Sequence, residues 1–197
     1  MSATLIIQRI SESISVKTAI ANDAALIHTI REVSEHLINT FKAEGKVLFC
    51  GNGGSAADAQ HLAAEFSGRF YFDRDPLFAE ALHVNTSYVT AVANDYSYDE
   101  IYARLIKAKG RKGDILMGIS TSGNSENIIR AFREARTRGM LTIALTGETG
   151  GKMKNEADIL LNVPSGDTPR IQEAHILIGH IICEIVESSL FKAPRND

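Results

Sequence analysis

Two loops and two helical stretches in this sequence carry side chains with chemistry to offer. Gly51-Asn52-Gly53-Gly54 follows the apolar run Lys46 to Cys50 and opens an alanine-rich pattern through Phe66, so it reads as strand, tight turn and helix N-terminus. Glycines let a ligand approach the backbone, while the unpaired N–H groups and dipole of the first helical turn favour an anion. Further along that helix, His61 and Glu65 stand four residues apart and share a face, which places two titratable groups behind a polar cradle. Ser120-Thr121-Ser122-Gly123-Asn124-Ser125 repeats the strand, turn, helix order with four hydroxyls. Hydroxyls beside helix N–H groups suit a phosphate dianion, and although serines also cap helices for structural reasons alone, two such loops in one sheet favour the ligand.

The last helical stretch interrupts its apolar pattern with Gln172, Glu173, His175 and His180. A lone histidine in such a setting is more often a hydrogen-bonded structural residue than a ligand. Gln172 and His180, eight residues apart, sit about two turns apart and roughly 80° around the axis, so both can reach one pocket, from its side. Asn94-Asp95, a polar turn between two helical patterns, either faces a ligand or forms a simple Asx turn.

These residues need a frame. From Thr4 to Ala43 the pattern is helical and amphipathic, with Asn22 or Asp23 capping the second of two helices. The first, Ile6 to Ile20, is apolar on more than one side, which points weakly to burial against a partner subunit. Strands are expected at Lys46 to Cys50, Ala81 to Val84, Asp114 to Ile119, Met140 to Leu145 and Asp158 to Val163. Helices follow the glycine turn, run from Tyr88 to Ala93 and Tyr98 to Ala108, span Glu126 to Arg138, and close the chain through Leu190 after a cap at Asp167 or Thr168. Five strands alternating with helices predict an α/β fold, a doubly wound parallel sheet with ligands at the carboxyl ends of its strands.

The totals limit the function. With 197 residues, 44% of them hydrophobic and 23% charged, the chain suits one globular domain with a sizeable core. A formal charge of -3 gives no basic excess for nucleic acid. Cys50 and Cys183 match no metal or redox spacing and fit buried thiols of a reducing cytosol. No apolar run reaches the roughly 20 residues a bilayer span needs, and no export signal opens the chain, so a cytoplasmic protein is expected.

Gly51-x-Gly53-x-x-Ala56 also fits a dinucleotide fingerprint, with Asp73 or Asp75 at the distance of a ribose contact. That fit needs the acid at the end of a second buried strand, whereas Phe70-Tyr71-Phe72-Asp73 is brief and runs into Arg74-Asp75-Pro76, and it leaves the serine loop without a role.

Gly51 to His61, Ile119 to Ser125 and Thr168-Pro169-Arg170-Ile171-Gln172-Glu173-Ala174-His175 together closely resemble the phosphoheptose isomerases, members of the sugar-isomerase (SIS) fold, with the spacing kept over essentially the whole chain. The resemblance implies a flavodoxin-like five-stranded sheet with N-terminal helices, one SIS domain over residues 1–197 (1–44 helical, 45–197 sheet core and last helix). It implies conversion of sedoheptulose 7-phosphate to D-glycero-D-manno-heptose 7-phosphate, the first step towards activated heptose for lipopolysaccharide or related surface glycans. It further implies a cytoplasmic homotetramer with sites at subunit interfaces and one zinc ion per subunit. Substrate contacts carried over are Asn52, Gly53, Gly54, Glu65, Asn94, Asp95, Ser120, Thr121, Ser122, Ser125 and Gln172; zinc would be held by His61, Glu65, Gln172 and His180. Two other functions compete: a non-catalytic SIS scaffold that binds the replication initiator, which has no use for Glu65 and His180 together, and an isomerase of another sugar phosphate.

Moving a carbonyl between C2 and C1 passes through an enediol and needs a base and an acid, here Glu65 and His180. The serine loop would anchor the phosphate and the glycine turn would face the sugar hydroxyls. Zinc would polarise the carbonyl, but a carboxylate and imidazole bound to it are poor proton carriers, and glutamine is an unusual ligand; the sequence leaves both roles open.

Overall fold

The computed structural model describes residues 2–192. Two helices, α1 (Ser2–Asn22) and α2 (Ala24–Lys42), precede the sheet. Of the two candidate caps for α2 the chain uses Asp23, whose carboxylate accepts from Ala25 and Leu26 N–H at 3.0 Å each. There follow β1 (Val47–Gly51), α3 (Gly54–Ser67), β2 (Ala79–Ala81), α4 (Thr86–Asp95), α5 (Ile101–Lys109), β3 (Ile115–Ser120), α6 (Glu126–Thr137), β4 (Leu141–Thr146), β5 (Ile159–Asn162) and α7 (Thr168–Leu190).

All neighbouring strands are parallel, in the order β2-β1-β3-β4-β5. Every residue of β1 and β3 is buried, as strands covered on both faces must be. On one face Val47, Phe49, Ile115, Met117, Ile143 and Leu145 pack with α2, α3 and α7. On the other, Leu48, Cys50, Leu116 and Ala144 pack with α5 and α6. The strand order reverses between β1 and β3, and the connecting helices change face there, as right-handed crossovers demand. This is the expected doubly wound, flavodoxin-like order, and its switch point lies where Gly51 pairs with Ile119. The glycine turn and the serine loop leave the sheet side by side at that point.

Two local expectations shift. The second strand is Ala79–Ala81, not Ala81 to Val84: Leu82 still donates to Phe49 O at 2.9 Å, but Asn85 then accepts from Tyr88 N–H and starts α4 at Thr86. Asn94 and Asp95 form no separate turn. They are the last residues of α4, joined by an Asn94 Nδ2 to Asp95 Oδ1 bond of 3.0 Å, and both are exposed. Asp167 caps α7. Cys50 and Cys183 are free and buried, and burial pushes both thiols well above their ordinary range.

Candidate functional site

Helices α3 and α7 lie side by side and run in the same direction, because their contacts keep a nearly constant offset. A Cβ on Gly54 would collide with the Gln172 amide, and one on Gly179 would collide with Leu62. His61 faces His180, and the N–H groups of Phe70 and Tyr71, just past α3, reach Glu187. Glycine at 54 and 179 therefore sets how closely the two helices approach.

This seam assembles the titratable groups. His61 Nε2 lies 2.9 Å from His180 Nε2 and 3.4 Å from Glu65 Oε1, and one ligand atom from each of the three residues falls within 4.8 Å of the others. Two ring nitrogens at 2.9 Å share one proton, or point their lone pairs at a common cation. Glu65 is largely buried, with 22% of its side chain exposed, while His61 is half exposed, so the cluster opens to solvent from one side. The Phe70 ring stands 5.6 Å from that of His180, tilted at 45°. Two imidazoles and a carboxylate are nitrogen and oxygen donors that zinc uses. Gln172 is on the same seam, two turns nearer the glycine turn, with its amide against Gly54.

Asn52 and the serine loop are held by side chains that the sequence pattern does not reveal. Asn52 pairs with Asn127 and accepts from Tyr98, and the buried Tyr102 donates to Gly51 O. Ser120 Oγ lies 2.9 Å from Ser125 Oγ, and Ser125 stands at the N-cap position of α6 without a side-chain capping bond. Ser122 Oγ accepts from Asn124 N–H at 3.2 Å. Thr121 and Ser122 border a cavity of about 330 Å³ that Glu148 also lines. A phosphate there would meet a carboxylate, so the α6 N-terminus beside Ser120 and Ser125 is the better anion seat.

The polar residues of α7 sort into different roles. Only His180 joins the cluster. Glu173 accepts from Arg170 at 2.6 Å. His175 is fully buried, its Nε2 against Thr146 O at 3.2 Å, and burial holds its pKa down at about 4, against a smaller upward pull from that bond. Between pH 6.5 and about 4 the unfolded chain binds this proton and the folded one resists it, so stability is full above pH 6.5 and falls as pH drops, by up to about 3 kcal/mol. Urea midpoints across that range should show this slope, and His175→Asn should flatten it; an unchanged slope would exclude His175 as its source.

Arg74 and Glu187 escape a sequence reading altogether. Glu187 accepts from Phe70 N–H at 2.9 Å, Tyr71 N–H at 2.7 Å and Arg74 Nε at 3.1 Å. Arg74 also donates to the carbonyls of Glu65, Phe66, Gly68 and Asp75, so its cation caps the C-terminal end of α3. Their side chains are 2% and 1% exposed. The available signal was an acid in the apolar stripe of α7, two turns beyond His180: a buried charge requires a partner.

Residues 13–147 match the SIS domain family. The chain is 54% identical over 185 residues to the phosphoheptose isomerase of Mycobacterium tuberculosis (strain ATCC 25177 / H37Ra), covering 94% of each. Among solved structures it is similar to a phosphoheptose isomerase from Francisella tularensis (40% identity, TM-score 0.91, 95% of this chain and 99% of that one). It is similar, too, to one from Neisseria gonorrhoeae (43% identity, TM-score 0.90, 95% and 100%).

Proposed function

Since the chain belongs to the phosphoheptose isomerases of the SIS family, and is thereby a phosphosugar isomerase, we infer that it converts sedoheptulose 7-phosphate to D-glycero-D-manno-heptose 7-phosphate. The observation that carries the site assignment is the meeting of His61, Glu65 and His180 on the α3/α7 seam, next to the switch point of the sheet. A scaffold for the replication initiator gains nothing from this cluster. The product would feed activated heptose for surface glycans, and we take residues 1–197 as one SIS domain.

In this reading Ser120 and Ser125, with the N-terminus of α6, hold the remote phosphate, Thr121 and Ser122 contact it from the same loop, and its binding energy fixes the reacting carbons. Asn52, Gly53 and Gly54 line the sugar, and Gln172 reaches it from beside Gly54. Asn94 and Asp95, exposed at the end of α4, complete the pocket of a neighbouring subunit or close over their own. Glu65 removes the C1 proton and returns a proton to C2 of the enediol, while His180 moves a proton between the two oxygens. His61, Glu65 and His180 would hold one zinc ion per subunit, with Gln172 as a fourth ligand. Zinc, when bound, supplies Lewis-acid polarisation of the carbonyl oxygen.

A homotetramer in the cytoplasm is the setting proposed. What supports assembly is α1, whose Leu5, Ile6, Ile7, Ile10 and Ile14 are 49–65% exposed. Among the described residues no helix is long and apolar enough to cross a membrane.

The test is turnover on a panel of ketose phosphates with protein of known metal content and known mass in solution. Sedoheptulose 7-phosphate should be the preferred substrate, with about one zinc per chain and a mass about four times 21.5 kDa. Preference for a shorter sugar would overturn the substrate, and a monomer would overturn the assembly. Chelation should abolish most activity and zinc should restore it. Full activity in metal-free protein would leave Glu65 and His180 as proton carriers with no metal role.

A further inference from the structure

Asn52 and Asn127 meet face to face: Nδ2 of each donates to Oδ1 of the other, both at 2.9 Å. Asn127, in the first turn of α6, is 2% exposed, and its Oδ1 also accepts from Ile128 N–H at 3.0 Å, an N–H shared with Ser125 O at 3.1 Å. That bond identifies the acceptor end of Asn127, which in turn dictates the donor end of Asn52. Tyr98, from the 3-10 turn before α5, then donates its hydroxyl to Asn52 Oδ1 at 3.0 Å. A primary amide has two acceptor lone pairs and two N–H groups. Both lone pairs of Asn52 and one N–H are thus engaged, and the remaining N–H points away from Asn127. A free asparagine can turn its amide to donate or accept. This one can only donate.

We infer that Asn127 and Tyr98 are positioning residues that lock the Asn52 amide in one orientation, so that it gives a single hydrogen bond to an acceptor oxygen of the bound sugar phosphate. The inference rests on the assignment of Asn52 to the substrate made above. Asn127 touches the glycine turn and α6 at once, so one buried amide fixes the first loop against the helix that carries the second.

The experiment is a double-mutant cycle in the whole protein, with kcat and KM for sedoheptulose 7-phosphate. Asn52→Ala should lose about tenfold to a hundredfold in kcat/KM. Asn127→Ala should lose as much, and the double variant no more than either single one. Tyr98→Phe, at a side chain 49% exposed, should lose about threefold alone and nothing further on the Asn52→Ala background. Losses that multiply in the double variants would overturn the positioning role and make both residues structural. Wild-type kcat/KM in Asn52→Ala would instead remove Asn52 from the substrate, and the inference with it. If Asn127→Ala does not fold, the Tyr98 and Asn52 pair decides by the same criterion.

Discussion

Glu65→Gln is expected to cut kcat by about 10²- to 10⁴-fold with the fold intact and KM for sedoheptulose 7-phosphate changed little. Glutamine keeps the shape of the side chain and removes its basicity. The backbone at this position is secured independently, since Glu65 O accepts from Arg74 Nη2 at 2.9 Å, so the substitution should leave α3 in place. Glu65 is also a prospective metal ligand, and a loss of zinc would mimic loss of the base. Metal content of the variant separates the two: the base assignment requires low turnover at full occupancy. Near-normal turnover would remove Glu65 from the chemistry.

Glu187→Ala is expected to lower stability by about 3–5 kcal/mol, out of a total of about 5–15 kcal/mol for a domain of ordinary stability. The cost does not come from the worth of the ion pair itself, which desolvation largely offsets, but from what its removal exposes. Arg74 would remain as a buried cation with no counter-charge, and the Phe70 and Tyr71 N–H groups would lose their acceptor. Burial alone would raise the Glu187 carboxyl; the bonds from Tyr71, Phe70 and Arg74 outweigh it and hold the pKa below the usual carboxylate value. A depressed pKa contributes stability above the unfolded value, lost only as pH falls through the lower, folded one. Urea unfolding of Glu187→Ala, Arg74→Ala and the double variant checks this. The double variant should be less damaged than the sum of the singles, and a single-variant loss under about 1 kcal/mol would refute the account.

Much of the frame was legible because it obeys short periods. Apolar strands buried on both faces, glycine and serine turns after β1 and β3, and His61 four residues from Glu65 are all local signals. The second strand was displaced because an edge strand of three residues carries too little alternation to locate it. Asn94 and Asp95 looked like a turn because polar residues at a helix end and in a loop have the same composition. The supporting groups were not legible for a different reason. Arg74 and Glu187 are 113 residues apart, Asn52 and Asn127 75, and Asn52 and Tyr98 46. No local pattern pairs them; only the packing of α3 on α7 and of α6 beside the glycine turn brings them together. His175 and His180 make the same point within one helix. They share a chain segment and a residue type, yet one faces the Thr146 carbonyl in the core and the other faces His61.

The α3/α7 seam works as a graduated scale. Its partners are separated by 116 to 119 residues from Gly54 at one end to Tyr71 at the other. Adding or deleting one residue in α7 between Gln172 and Glu187 would turn everything beyond it by about 100° and shift it about 1.5 Å. No side-chain adjustment absorbs both. Such an indel would either carry His180 away from His61 or withdraw Glu187 from Arg74, so the chain can change length in its loops but not along this stretch. The interval from Gln172 to Glu187 is a fixed ruler, and reaction centre and fold are read off the same marks.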